Sequence, residues 1–200
     1  MTDRSALLAL AAAFGVLLWQ VQSGGALVVL DGIVNAAIAP LRHPWALSAF
    51  AWLTQVGTGA AGAAIAAVAS GLLWSGQRGA LVGPLWLVFV GAQATTWSLK
   101  FVVARVRPPF IEGVTAASPA FPSAHATVSL AIYGFMALAI AADLPSAGHR
   151  AAVFWAAGVL VALIGFSRLF LSVHYLTDIL GGFLVAAFWL VLGWRIARGS

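Results

Sequence analysis

Six long apolar stretches, separated by short breaks of turn-forming and polar residues, set the rhythm of the chain. They run approximately Ser5–Gln22, Pro44–Leu73, Ala80–Val103, His125–Ala142, Arg150–Phe166 and Leu176–Trp194. A hydrocarbon core about 30 Å thick asks for about 20 apolar residues per helix, which each stretch roughly supplies. The breaks are Ser23-Gly24-Gly25, Ser75 to Gly79, the proline-rich run from Arg107 to Pro122, Asp143 to His149, and Ser167 to Tyr175. Ala26 to Arg42 is also apolar, but it carries Asp31 and Asn35 and ends at His43-Pro44. It reads as an interfacial helix in the first outer loop. The pattern predicts an all-α integral membrane bundle of six transmembrane helices with that interfacial helix beside it. It is expected to form a single membrane-embedded domain over residues 1–200, without internal repeats. Arg4 before the first stretch fits a signal peptide, but the apolar run continues through Trp19 to Val21, which suits a retained anchor better.

Composition agrees. Hydrophobic residues make up 62% and charged residues 8% of the 200 positions, and the mean hydropathy is +1.02. Soluble chains carry about 25% charge, so this one cannot clothe itself against water and must face lipid. There is no cysteine, which excludes disulfides and thiolate metal sites. The net charge of +5 comes from ten dispersed basic residues, with no basic stripe for nucleic acid. Lys100 is the only lysine, and the acids are Asp3, Asp31, Glu112, Asp143 and Asp178. A charge in a bilayer centre costs about 2.5–3.5 kcal/mol on insertion scales, so function is expected where charges sit.

With six crossings and the N-terminus inside, Arg4, Arg78, Arg150, Arg195 and Arg198 fall on one side. Arg42, Lys100, Arg105, Arg107 and Arg168 fall on the other. The tie favours cytoplasmic termini only if the outer cations are held by function. Trp19, Trp45, Trp74, Trp97 and Trp194 lie near predicted helix ends as interface anchors. Gly57, Gly59 and Gly62 allow a neighbouring helix to approach closely.

Three segments concentrate the polar chemistry. In the first, Lys100 and Arg107 are seven residues apart, two helical turns or roughly 10 Å, which puts both on one face with Gln93 and Thr96 before them. Pro108 ends that helix. In the second, Pro122-Ser123-Ala124-His125 precedes the fourth stretch; Ser123 is a natural N-cap, and a helix N-terminus attracts phosphate. In the third, Ser167-Arg168 leads to His174 and Asp178, an i,i+4 pair in which the carboxylate can orient the imidazole. Such a histidine can be a nucleophile. Two crossings separate the loops that carry these segments, so all three share one membrane face.

K-x6-R-P, P-S-[GA]-H and S-R-x5-H-x3-D, in this order, resemble the signature of the type 2 phosphatidic acid phosphatase superfamily, whose membrane members are lipid phosphatases. The likeness covers Lys100 to Asp178; the departure is Ala124, where many members have glycine. The resemblance implies that His174 attacks phosphorus, that Asp178 orients it, and that His125 protonates the leaving group and then activates water. Lys100, Arg107, Ser123, the Ala124 backbone and Arg168 would bind the phosphoryl oxygens. Three cations can supply the neutralisation that Mg²⁺ gives elsewhere, and no carboxylate cluster suited to Mg²⁺ is visible in the sequence. No metal and no cofactor are expected.

The remaining polar residues have plainer readings. Arg105 lies off the Lys100–Arg107 stripe and reads as a headgroup contact. Arg42-His43 is either structural or meets a substrate headgroup. His149 and Arg150 face the opposite side. Asp31 and Glu112 read as surface partners of nearby arginines, and Tyr175 as an interface aromatic. The expected function is removal of phosphate from a lipid phosphate or diphosphate, such as phosphatidylglycerophosphate, phosphatidate or polyprenyl diphosphate, at the outer face of a plasma membrane. A lipid phosphotransferase, or a phospholipid-binding or transport protein without turnover, is the alternative.

Overall fold

The computed structural model describes residues 3–109, 111 and 116–199, so Glu112 lies outside the described residues. The described residues form eight α-helices in succession: α1 (Asp3–Ser23), α2 (Ala26–Ile38), α3 (Pro44–Leu53), α4 (Gly59–Ser75), α5 (Val82–Val103), α6 (Ala124–Asp143), α7 (Ala147–Phe170) and α8 (Leu176–Gly199). Among the described residues there are no strands. α1, α5, α6, α7 and α8 are each long and apolar enough to cross a bilayer. α4 has 17 residues, or about 25 Å at the α-helical rise, and is a shorter apolar helix than these five.

The second apolar stretch is not the single helix that its hydropathy suggests. A 3₁₀ turn at Thr54–Gly57 divides it, and Thr58 restarts the chain with its Oγ1 accepting the Ala61 N–H at 3.2 Å. The interfacial segment is helical, as α2. It bends by 118° into α3, where Pro44 supplies the first helical position after His43. This bent pair begins and ends at one end of the bundle, because Asp31, Arg42 and Thr54 all bond to the α7–α8 region there. It therefore does not cross.

At the other end Arg198 pairs with Asp3 at 3.3 Å and Arg78 pairs with Asp143, which places the start of α1 and the end of α8 on the same side. Trp19, Trp45, Trp74 and Trp97 are exposed, as belt residues would be. Trp194 instead packs edge-on against Phe135 in the core, with centroids 5.8 Å apart.

The core is a seam of small and branched residues: Ala66 and Ala69 of α4, Leu85, Val88 and Ala92 of α5, Val128, Ile132 and Phe135 of α6, and Val185 and Ala186 of α8. Without a hydrophobic drive between helices in lipid, close packing has to hold this seam. Gly62 admits Val128 and Phe89, which a Cβ would meet at 2.7 and 2.9 Å. Gly182 lets α8 lie against the turn before α6, where a Cβ would come within 2.5 Å of the Ser123 carbonyl oxygen. A second, smaller cluster at the site end joins Ile38, Ala46, Ala126, Phe170 and Ile179.

Candidate active site

Three helix ends meet at the end of the bundle opposite the start of α1 and the end of α8. α5 stops at Val103, four residues before Arg107, because Ala104 takes the left-handed conformation (φ 49°). Lys100 and Arg107 are thus not on one helical face: Lys100 is in the last turn, and Arg107 lies on the non-helical segment beyond it. They still converge. Lys100 Nζ donates to the Pro119 carbonyl at 2.6 Å, and Arg107 Nη2 reaches the same oxygen at 3.5 Å.

Ser123 holds the N-cap position of α6, yet its hydroxyl makes no capping bond and has no partner in the buried space it occupies. Its N–H donates to the Asp178 carbonyl at 2.9 Å, which ties the start of α6 to α8. Ala124 begins the helix without a positive φ, so alanine in place of glycine costs nothing here. His125 follows in the first turn and faces Gly57, where a Cβ would lie 3.5 Å from its Cδ2. Arg168, His174, Lys100 and Arg107 are its ionisable neighbours.

α7 runs through Phe170, which puts Ser167 and Arg168 in its last turn, both buried. Arg168 donates from Nη1 to Thr54 Oγ1 at 2.9 Å, while its Nε has no partner. His174 is not on the Asp178 helix face: it precedes α8, and the chain turns so that Nδ1 lies 3.4 Å from Asp178 Oδ2. That oxygen accepts the Tyr175 N–H at 2.8 Å. The other imidazole nitrogen, Nε2, lies 3.3 Å from Arg107 Nη1. Burial pushes the His174 imidazole down to about 4 despite the opposing pull of Asp178, so the ring is neutral at pH 7. Burial also lowers the Arg107 pKa.

Residues 81–200 match the PAP2 superfamily. Phosphatidylglycerophosphatase B of Bacillus subtilis (strain 168) is 31% identical over 156 residues, 76% of each chain. The chain belongs to the PAP2 superfamily. The crystal structure of a transmembrane PAP2-type phosphatidylglycerolphosphate phosphatase from Bacillus subtilis superposes with a TM-score of 0.87 at 27% identity, over 96% of both chains. Aquifex aeolicus LpxE shares the fold at a TM-score of 0.63 and 20% identity, over 84% of this chain and 94% of that one. The protein is thus a membrane-embedded lipid phosphatase of the PAP2 type.

The residues that the three sequence motifs singled out stand together, but several neighbours have other roles than their positions suggest. Arg105 is not a headgroup contact: it turns inward between Asp31 and Asp178. Asp31 does pair with an arginine, but at 2% exposure and not at the surface. Tyr175 lies under the Arg105 guanidinium, whose Cζ is 4.5 Å from the ring centroid. Arg42 is a structural clamp, donating to the Phe170 and Leu169 carbonyls at the end of α7 and to Asn35 Oδ1. His43 is exposed, and Arg150 bonds to the Leu144 and Pro145 carbonyls at the opposite end. The scarcity of charge held the clue to Asp31, an acid inside an apolar run. Thr54 and the Ser118 and Pro119 carbonyls carried no such signal.

Proposed function

We propose that this PAP2 phosphatase removes the phosphoryl group of a lipid phosphate or diphosphate through a phosphohistidine at His174. The observation that carries the reading is the placement of the ring, with Asp178 behind Nδ1 and the Arg107 guanidinium in front of Nε2. An arginine has no acceptor, so Nε2 holds the lone pair and Nδ1 the proton, the tautomer a nucleophile needs.

In the first step the Nε2 lone pair forms an N–P bond. The P–O bond to the lipid breaks, and its electron pair leaves on the lipid oxygen, which takes a proton from protonated His125. In the second step His125 removes a proton from water, the water oxygen bonds phosphorus, and the N–P electrons return to Nε2 with release of inorganic phosphate. Lys100, Arg107 and Arg168, with the Ser123 hydroxyl and the first amides of α6, neutralise the equatorial oxygens. Turnover is expected to need no metal ion, because Lys100, Arg107 and Arg168 bring the positive charge themselves.

The site end is assigned to the outer face of a plasma membrane, with the termini in the cytoplasm. Its five cations are all engaged inside the fold, by Phe170, Pro119, Asp31, Ser118 and Thr54 among others. At the opposite end Arg4, Arg150, Arg195 and Arg198 are exposed, and exposed loop cations decide orientation. Given the named relatives, phosphatidylglycerophosphate is the first substrate to try, with phosphatidate and polyprenyl diphosphate beside it. Purified protein in detergent with EDTA should release phosphate from at least one of the three. No release from any of them contradicts the reading.

A further inference from the structure

Behind the nucleophile lies a buried chain of charge that the phosphate-binding residues do not account for. Arg105 donates from Nη1 to Asp178 Oδ1 at 2.5 Å and from Nη2 to Asp31 Oδ2 at 2.8 Å. Thr177 joins the same group. Its hydroxyl donates to Asp31 Oδ2 at 2.5 Å and accepts from Arg105 Nη1 at 2.7 Å, and its N–H donates to Asp31 Oδ1 at 2.9 Å. The side chains of Asp31, Arg105 and Asp178 are 1%, 11% and 0% exposed. Asp31 belongs to α2, Arg105 to the segment after α5, and Thr177 and Asp178 to the first turn of α8. Three distant parts of the chain thus meet on one carboxylate.

A buried ion triad is costly unless every member is satisfied, and an apolar substitute would hold helices together as well. This one has a use that an apolar contact lacks. Both oxygens of Asp178 are occupied, Oδ1 by Arg105 and Oδ2 by the Tyr175 N–H, so the carboxylate cannot rotate away from His174. The formal charges of Asp31, Arg105 and Asp178 sum to −1. A phosphohistidine substituted at Nε2 and still protonated at Nδ1 carries a positive ring. A net charge of −1 behind that ring is its counter-charge.

We propose that Arg105 and Asp31 are positioning residues of the phosphoryl-transfer reaction, fixing the Asp178 carboxylate and setting the net charge behind the His174 ring. The interfacial helix α2 is then part of the catalytic apparatus through Asp31. The proposal rests on the phosphohistidine reading above. Asp31→Asn keeps the shape and makes the chain neutral, so the cationic intermediate loses its counter-charge. Arg105→Met leaves two carboxylates facing each other, whereas Arg105→Lys restores a cation without the two-pronged geometry.

The test measures kcat, KM and thermal unfolding of purified wild type, Asp31→Asn, Arg105→Lys and Arg105→Met in detergent, with a rapid-quench count of phosphohistidine. Removing the outer partner of a metal-binding imidazole typically costs about 10–100-fold, and the same scale is expected for an imidazole that bonds phosphorus. Asp31→Asn should lose about that much in kcat and form phosphohistidine correspondingly more slowly, with KM within about threefold of wild type. Arg105→Lys should retain about tenfold more activity than Arg105→Met. Thr177→Val, which removes only the bridging hydroxyl, should lower kcat several-fold and stands in should Asp31→Asn not fold. The proposal is overturned if Asp31→Asn, or Thr177→Val in its place, keeps the wild-type kcat. It is also overturned if activity falls only in step with the folded fraction, with lysine at position 105 no better than methionine. Wild type that turns over without trapping phosphohistidine defeats the underlying reading instead.

Discussion

Arg107 Nη1 stands 3.3 Å from His174 Nε2, so the nitrogen proposed to attack phosphorus faces the guanidinium proposed to hold the phosphoryl oxygens. In the proposed reaction an incoming phosphoryl group takes both partners at once: its oxygens accept from the guanidinium while Nε2 is released toward phosphorus. Binding the anion and exposing the nucleophile are therefore one event.

Substitution of Arg107 separates these roles. Arg107→Ala should lower kcat/KM by about 100–1,000-fold, the scale of losing one oxyanion donor. Arg107→Lys should recover only part of it, since a lysine cannot contact both phosphate and the Ser118 carbonyl that Arg107 Nε now reaches at 2.7 Å. Steady-state kinetics on a lipid phosphate checks both.

The buried ring of His174 predicts an unusual pH dependence. Its pKa sits at about 4, below the ordinary value of 6.5. Between those values the unfolded chain binds a proton that the folded one does not, so stability should fall as pH drops through this window and level off below it. Nitrogen NMR of labelled His174 should show a midpoint near 4. Asp178 raises this pKa and Arg107 lowers it. Asp178→Asn should therefore move the midpoint down, and Arg107→Gln should move it up. Shifts of the opposite signs would contradict the assigned partners.

Gly182 is predicted to be a pivot of packing. A Cβ there would meet the Ser123 carbonyl oxygen at 2.5 Å and the Ala126 Cβ at 3.0 Å, both on rigid backbone. Gly182→Ala should cost about 1–3 kcal/mol by overpacking and displace Ser123 as well. Gly71→Ala, where nothing lies within 4 Å, is the matched control and should leave both melting and activity unchanged.

Orientation has a direct check because the chain holds no cysteine. His43→Cys at the site end should react with an impermeant thiol reagent on intact cells. Ala147→Cys at the other end should react only after lysis. The reverse pattern would put the site in the cytoplasm.

Much of the membrane architecture was legible because lipid imposes a length on every apolar run. α1, α5, α6, α7 and α8 follow from that rule. The break at Thr54–Gly57 was not legible, since Thr58 capping α4 and the Thr54 bond to Arg168 depend on the fold around them. Order and spacing singled out Lys100, Arg107, Ser123, His125, Arg168, His174 and Asp178, which do converge, but the helical-face geometry assigned to Lys100–Arg107 and to His174–Asp178 was not what joins them. In both cases a helix boundary falls between the two residues, at Val103 and at Leu176. Long-range partners such as Asp31 and Arg105 are 74 residues apart, and no local pattern relates them.

The most direct test of the account is to trap the covalent intermediate. Purified protein mixed with a lipid substrate labelled in the transferred phosphoryl group, quenched at alkaline pH within one turnover and mapped by peptide mass spectrometry, should carry label on the His174 imidazole. The label should be absent from His174→Ala. Label on another residue, or wild type that hydrolyses the lipid while His174→Ala does so equally well, would contradict it.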